Sequence, residues 1–133
     1  MSVPMAARVL YIGIEPTLVD LSAAPPGATA EALMKGISAV VQKLNDSGYE
    51  AHWCPVDLGE TAEATVTKAL AERSVDCVVI GAGIRMGAAY FLLFEKLLNV
   101  VHEQAPQAKI CFNTTPADTL EAVQRWVPPS RSV

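Results

Sequence analysis

One heptapeptide concentrates features that bind anions: Gly81-Ala82-Gly83-Ile84-Arg85-Met86-Gly87. It follows the apolar run 75–80 and precedes an amphipathic one. Glycines let a backbone approach a phosphate or carboxylate. A helix starting near Gly87 adds free N–H groups and the positive end of its dipole. Arg85 adds a planar fork of donors suited to the same groups. The spacing, G-x-G-x-x-x-G, is one residue longer than the dinucleotide fingerprint. Phe112 and Asn113 stand where an acidic ribose ligand would end the next strand, so a standard NAD site is not expected. The same seven residues also make a plain strand-to-helix turn with Arg85 in solvent.

Asn113 and Thr114 end the last apolar run, where polar side chains can line the same crevice. Asn113 is equally a turn former, and Thr115 is an N-cap ahead of Pro116. The segment 15–28 carries Glu15, Thr17 and Asp20, then the apolar Leu18, Val19 and Leu21, then Pro25-Pro26-Gly27. Loops longer than about 12 residues are uncommon in compact domains and often act as lids. This one is read as a lid over a ligand, as a segment packed on another subunit, or as cover for a short helix. Thr17 is a candidate ligand contact, and Glu15 and Asp20 are the candidate general bases.

His52 and Cys54 lie two apart on a strand and so share a face. Such a pair can make a reactive thiolate, or simply pack. Other chemistries fail on spacing. Glu60, Gly83 and Ala117 occupy the sixth positions after Cys54, Cys77 and Cys111, so there is no phosphatase loop. There is no P-loop, no H-E-x-x-H and no C-x-x-C, and the two histidines are far apart. A metal site is therefore not expected. The loops 81–87 and 113–117 hold no aromatic residue to flank a flavin, and no lysine accompanies Asp57 as a phosphoacceptor site would require. No cofactor is assigned.

The elements that must position these residues alternate. Apolar strands are expected at 9–14, 49–56, 75–80 and 109–112. Helices are expected at 29–47, from 57 to about 73 opened by a capping box at Asp57-Leu58-Gly59-Glu60, at 87–104, and after Thr115. Strands alternating with helices demand a parallel sheet. Pro55, Glu50 and His52 suit an edge strand, and the first and third strands are the most apolar. The expected fold is a three-layer α/β domain with a four-stranded parallel sheet in the order 2-1-3-4. It resembles a short flavodoxin-like, Rossmann-like architecture. The domain is expected to span 1–127, with 128–133 a disordered tail. In such a sheet a ligand lies beyond the C-terminal strand ends where the order reverses, between the 15–28 loop and the 81–87 turn.

Composition narrows the class. The chain has 133 residues, 51% hydrophobic and only 18% charged, with a net charge of −4. One domain and a real core fit that length. The charge disfavours nucleic acid. No apolar run reaches the ~18 residues of a membrane span, and Met1 to Arg8 carries no leader pattern. Three reduced, buried cysteines fit a cytoplasmic protein. Two functions are expected. One is a small-molecule-binding domain for an anionic ligand, with an enzymatic step not assigned. There Gly81, Gly83, Arg85, Gly87, Asn113, Thr114 and Thr17 would be the contacts. The other is a non-catalytic homo-oligomeric or partner-binding subunit that covers Phe91, Leu92, Val100 and the 18–21 loop. His102 is read as a surface residue.

Overall fold

The computed structural model describes residues 4–132. Met1, Ser2 and Val3, read above for a leader pattern, and Val133 of the tail lie outside the described residues. Strands β1 (Pro4–Ala6) and β2 (Arg8–Ile14) open the chain, followed by α1 (Ala30–Asp46), β3 (Glu50–Val56), α2 (Ala62–Glu72) and β4 (Cys77–Ile80). Then come a one-turn helix α3 (Ala82–Arg85), α4 (Phe91–Gln104), β5 (Lys109–Phe112), α5 (Thr119–Gln124) and β6 (Ser130–Ser132). The main sheet is β3-β2-β4-β5 and every pairing in it is parallel. This is the expected order, with the two most apolar strands in the middle.

Alternation along the strands sorts the core into two layers. Leu10, Ile12, Cys54, Val78 and Ile80 pack with Val66, Leu70, Leu93, Leu97 and Val101, which come from α2 and α4. Val9, Tyr11, Cys77, Val79 and Cys111 pack with Ile37, Leu44, Ala122 and Val123, which come from α1 and α5. A sheet buried on both faces must be apolar in every register, and Cys77–Ile80 is buried at all four positions.

The edge strand β3 is blunted. Glu50 N–H donates to Ala7 and the Val56 carbonyl accepts from Glu15, so residues 51, 53 and 55 turn their polar groups outward. Asn45 Oδ1 accepts the Ala51 N–H at 2.9 Å, and Pro55 has no N–H to offer. Both devices discourage a further strand.

Several boundaries differ from expectation. Thr29 caps α1, accepting from Ala32 N–H at 3.0 Å, and Gly48 leaves that helix with φ of +98°, as read. By contrast α2 starts at Ala62 rather than at 57. The Asp57 carboxylate accepts from Gly59 N–H, Thr61 N–H and Thr61 Oγ1 and so holds a turn ahead of the helix. A helix continuous from Gly87 is also not formed. Gly87 is extended (φ −97°, ψ 127°), so a short 3-10 turn, Ala88–Tyr90, intervenes and α4 begins at Phe91. Thr115 and Asp118 do form a capping box, over the 3-10 turn Pro116–Asp118 that leads into α5. Part of the segment expected to fray is drawn into a strand. Ser130–Ser132 pairs antiparallel with Pro4–Ala6, and Pro129 accepts from Ala7 N–H at 2.9 Å.

Candidate functional site

A crevice of about 250 Å³ opens at the C-terminal ends of β2 and β4, where the strand order reverses. Tyr11, Gly13 and Ile14 form its floor from β2, with Trp53 from β3. Leu33 and Ile37 of α1 make one wall, and Gly81 to Ile84 with Tyr90 make another. Pro16 and Val19 of the 15–28 loop, Asn113 and Pro116 complete the lining. No Asp, Glu, Lys, Arg or His is among these residues. Among the described residues, no group of three or more His, Cys, Asp or Glu could hold a metal ion.

The polar part of the site is a knot centred on Asn113, which is 1% exposed. Its Oδ1 accepts from Ala82 N–H at 2.9 Å and, more distantly, from Arg85 Nη2 at 3.4 Å. Its Nδ2 donates to Thr119 Oγ1 at 3.0 Å and to the Tyr11 hydroxyl at 3.4 Å. Thr119 Oγ1 in turn donates to the Pro116 carbonyl at 2.7 Å. Asn113 thus joins the end of β5 to the turn after β4, the start of α5 and the central strand. All four of its hydrogen-bonding sites are occupied. Burial raises the Tyr11 hydroxyl above its ordinary pKa, and its hydrogen bonds to Thr119 and Asn113 oppose that rise.

Several donors of the 81–87 turn expected to cradle an anion have partners within the fold. Gly81 N–H donates to Ile12, Ala82 N–H to Asn113 Oδ1 and Ile84 N–H to Gly81, so three of the amides an anion would need are used internally. Arg85 does not line the crevice. Its Nε donates to the Ile80 carbonyl at 3.0 Å and its Nη2 to the Asn113 carbonyl. Its guanidinium lies 4.8 Å from the Phe112 ring centroid. Arg85 is partly buried, with Nε and Nη2 taken by main-chain carbonyls. It clasps the two strand ends, β4 and β5, from the side.

The remaining candidates divide clearly. Gly81 and Gly83 line the crevice; Gly87, Thr17 and Thr114 do not. Thr114 N–H instead donates to Asp118 at 2.8 Å. Glu15 reaches Thr17 N–H and Oγ1, both at 3.4 Å. Asp20 accepts from Ser22 N–H at 2.9 Å, which holds its carboxyl below the usual range. Neither carboxylate is among the lining residues, so the structure does not bring the two candidate bases to the crevice. The 15–28 loop does include a short helix, a 3-10 turn at Pro16–Leu18. Its contributions to the crevice are Pro16 and Val19.

His52 and Cys54 line a second, open groove beside α2. The Arg73 guanidinium stands against the imidazole. Burial, followed by this cation, lowers the His52 pKa. Burial pushes the Cys54 thiol up to about 11. A neutral thiol beside an imidazole facing a cation is the reverse of an activated pair, so packing is the reading that holds.

Two contributions escape a reading of the sequence. Gly13 sits inside an apolar strand, and a Cβ there would lie 2.5 Å from Trp53 Cη2. The glycine makes room for the indole on the sheet. Trp53 meets Tyr11 edge-on, with centroids 5.1 Å apart and planes at 72°. A glycine within a strand signals such close approach, and that signal was available. Against protein-family models and curated proteins, the chain has no match.

Proposed function

We propose that this is a small-molecule-binding α/β domain whose ligand lies in the crevice between the 15–28 loop and the 81–87 turn. The observation that carries the reading is the cavity itself: concave, mostly apolar in its lining, with no charged side chain and with Asn113 at one end. Binding sites of small molecules have this composition, and this end of such a sheet is where they occur. The lining favours an uncharged ligand over the phosphate or carboxylate suggested by the glycine-rich turn. Burying an anion there, with no cation among the lining residues and with the Gly81, Ala82 and Ile84 amides engaged, carries a large desolvation cost. No catalytic step is assigned.

A thermal-shift screen of small neutral molecules against small acids, nucleotides and sugar phosphates tests this. A ligand that binds the folded state adds about 2.7 kcal/mol at a hundredfold excess over its dissociation constant. Neutral hits that disappear in Leu33→Trp, which fills the crevice from α1, support the reading. Hits confined to anions, or unaffected by Leu33→Trp, overturn it.

A second reading, a homo-oligomeric subunit, is favoured by one feature. Met86, Phe91 and Leu92 are 72%, 61% and 64% exposed within seven consecutive residues. Apolar exposure concentrated in this way commonly marks an interface. Val100, expected to join them, packs against the core instead. Sedimentation at micromolar concentration should give a dimer that Leu92→Asp converts to monomer. A monomer mass for the native chain removes this reading.

A further inference from the structure

The strands of the main sheet are parallel, so every connection that follows one of them emerges at the same end. Of the nine large apolar side chains exposed among the described residues, six stand there. Leu18 follows β2, Leu58 follows β3, Met86, Phe91 and Leu92 follow β4, and Phe112 closes β5. Apolar exposure gathered at one end of a molecule marks a contact surface. We infer that the carboxyl end of the sheet docks a basic, amphipathic segment of another protein, independently of any small molecule held inside the crevice.

Charge decides the occupant. The connections at this end, the first two turns of α1, α2, α4 and α5, and Arg125 just after α5 hold nine carboxylates and five Lys or Arg. The rest of the chain holds five of each, so the net charge of −4 resides at this end. Two of its cations are also engaged: Arg85 and Arg125 give donors to the Ile80, Asn113 and Phe112 carbonyls. Hydrogen bonds from Thr61 and Thr114 hold the Asp57 and Asp118 carboxyls below the usual range, so both stay ionised. A two-fold contact presents the same patch twice, and two copies joined here would set like charges opposite each other. An anionic lipid surface meets the same repulsion. A partner with apolar anchors flanked by Lys or Arg meets neither, and amphipathic helices that dock by one face carry that pattern.

The probe is a synthetic amphipathic helix of Leu and Lys, with Glu in place of every Lys in its control. Fluorescence anisotropy with the full chain should show the Lys peptide binding, more weakly as salt rises, and the Glu peptide not binding. Leu92→Ser and Met86→Ser change exposed side chains and spare the core. Each should weaken the Lys peptide about tenfold, as loss of an interface anchor does. Glu60→Gln should weaken it about twofold. Glu103→Gln, at the far end of α4, should leave it unchanged, which separates docking at this end from attraction to an acidic protein as a whole. Failure of the Lys peptide to bind, equal binding of the two peptides, or equal effects of Glu60→Gln and Glu103→Gln overturns the inference. So does binding untouched by both serine variants. A native dimer broken by Leu92→Asp would assign the surface to a second copy, and tighter binding to phosphatidylcholine vesicles than to the peptide would assign it to lipid; either also overturns the inference.

Discussion

The indole of Trp53 lies directly over Gly13: a Cβ on that glycine would come within 2.5 Å of Cη2 and 2.8 Å of Cζ3. The two residues belong to neighbouring strands, β3 and β2, whose register pairs Trp53 with Tyr11. Gly13→Ala therefore forces the ring outward. It should cost about 1–3 kcal/mol, the usual range for overpacking, and shift tryptophan emission to the red. Gly83 is the contrast, because a Cβ there meets nothing within 4 Å. Gly83→Ala, inside the turn of α3, should be neutral or stabilising by about 0.5 kcal/mol. Urea melts of the two variants test the pair. Equal effects would mean that the Trp53 contact is not what Gly13 serves.

Asn113→Leu should be among the more damaging single changes at this end of the sheet. It removes the acceptor of Ala82 N–H and the donor to Thr119 and Tyr11 while keeping the side chain's bulk. Leaving buried polar groups unpaired costs about 2–4 kcal/mol here. The denaturant midpoint should fall with little change in slope.

Arg85→Ala should lower stability by about 1–3 kcal/mol, because it strips a charged donor from the Ile80 and Asn113 carbonyls. Arg85→Lys should restore little of this, since an ammonium cannot fork between two carbonyls and stack on Phe112. Calorimetry on the three proteins decides it. An unchanged melting temperature for the alanine variant would return Arg85 to the solvent.

Native protein should react slowly with a thiol reagent, and denatured protein should reveal three thiols. All three cysteines are free and buried. The hydrogen bond shared with Cys111, and after it burial, raises the Cys77 thiol. Those two sulfurs are 3.4 Å apart, yet Cys77 stands opposite Lys109 and Cys111 opposite Val79. The offset places their Cα atoms about 8 Å apart by strand geometry, beyond the ~7 Å reach of an unstrained disulfide. Mild oxidation with diamide should leave the intact mass unchanged. A loss of two hydrogens would show that the strands can shift.

Stability should decline in alkali. The Cys54 pKa rises from 9.0 to about 11 on folding, so the folded state holds that proton more tightly. The contribution is complete below the unfolded value and is lost as pH climbs through the folded one. Denaturant midpoints should therefore drop from about pH 9 to about pH 11, and by less in Cys54→Ala. Identical curves for the two proteins would remove Cys54 as the cause.

The strand order, the two helical layers and the position of the crevice were legible in the sequence. Each depends on a local pattern. Continuous apolar runs such as 75–80 mark central strands, Pro55 marks an edge, and ligand crevices follow from where the order reverses. Thr29, Gly48 and Thr115 announced their caps because capping is a matter of neighbours in sequence. The start of α4 was not legible, since Gly87 takes an extended backbone that a helix would equally have allowed.

The chemistry of the crevice was decided only by the tertiary structure. The sequence offered Arg85, Gly81 and Gly83 as an anion cradle, and nothing local says otherwise. Amides and guanidinium groups bond to whatever carbonyl or amide oxygen the fold brings within reach, and here the fold supplied them first. Ile12, 69 residues from Gly81, takes one amide; Asn113, 31 residues from Ala82, takes another. Arg85 spends its charge on the ends of β4 and β5. The residues left to line the cavity carry no charged side chain, and three of them are aromatic.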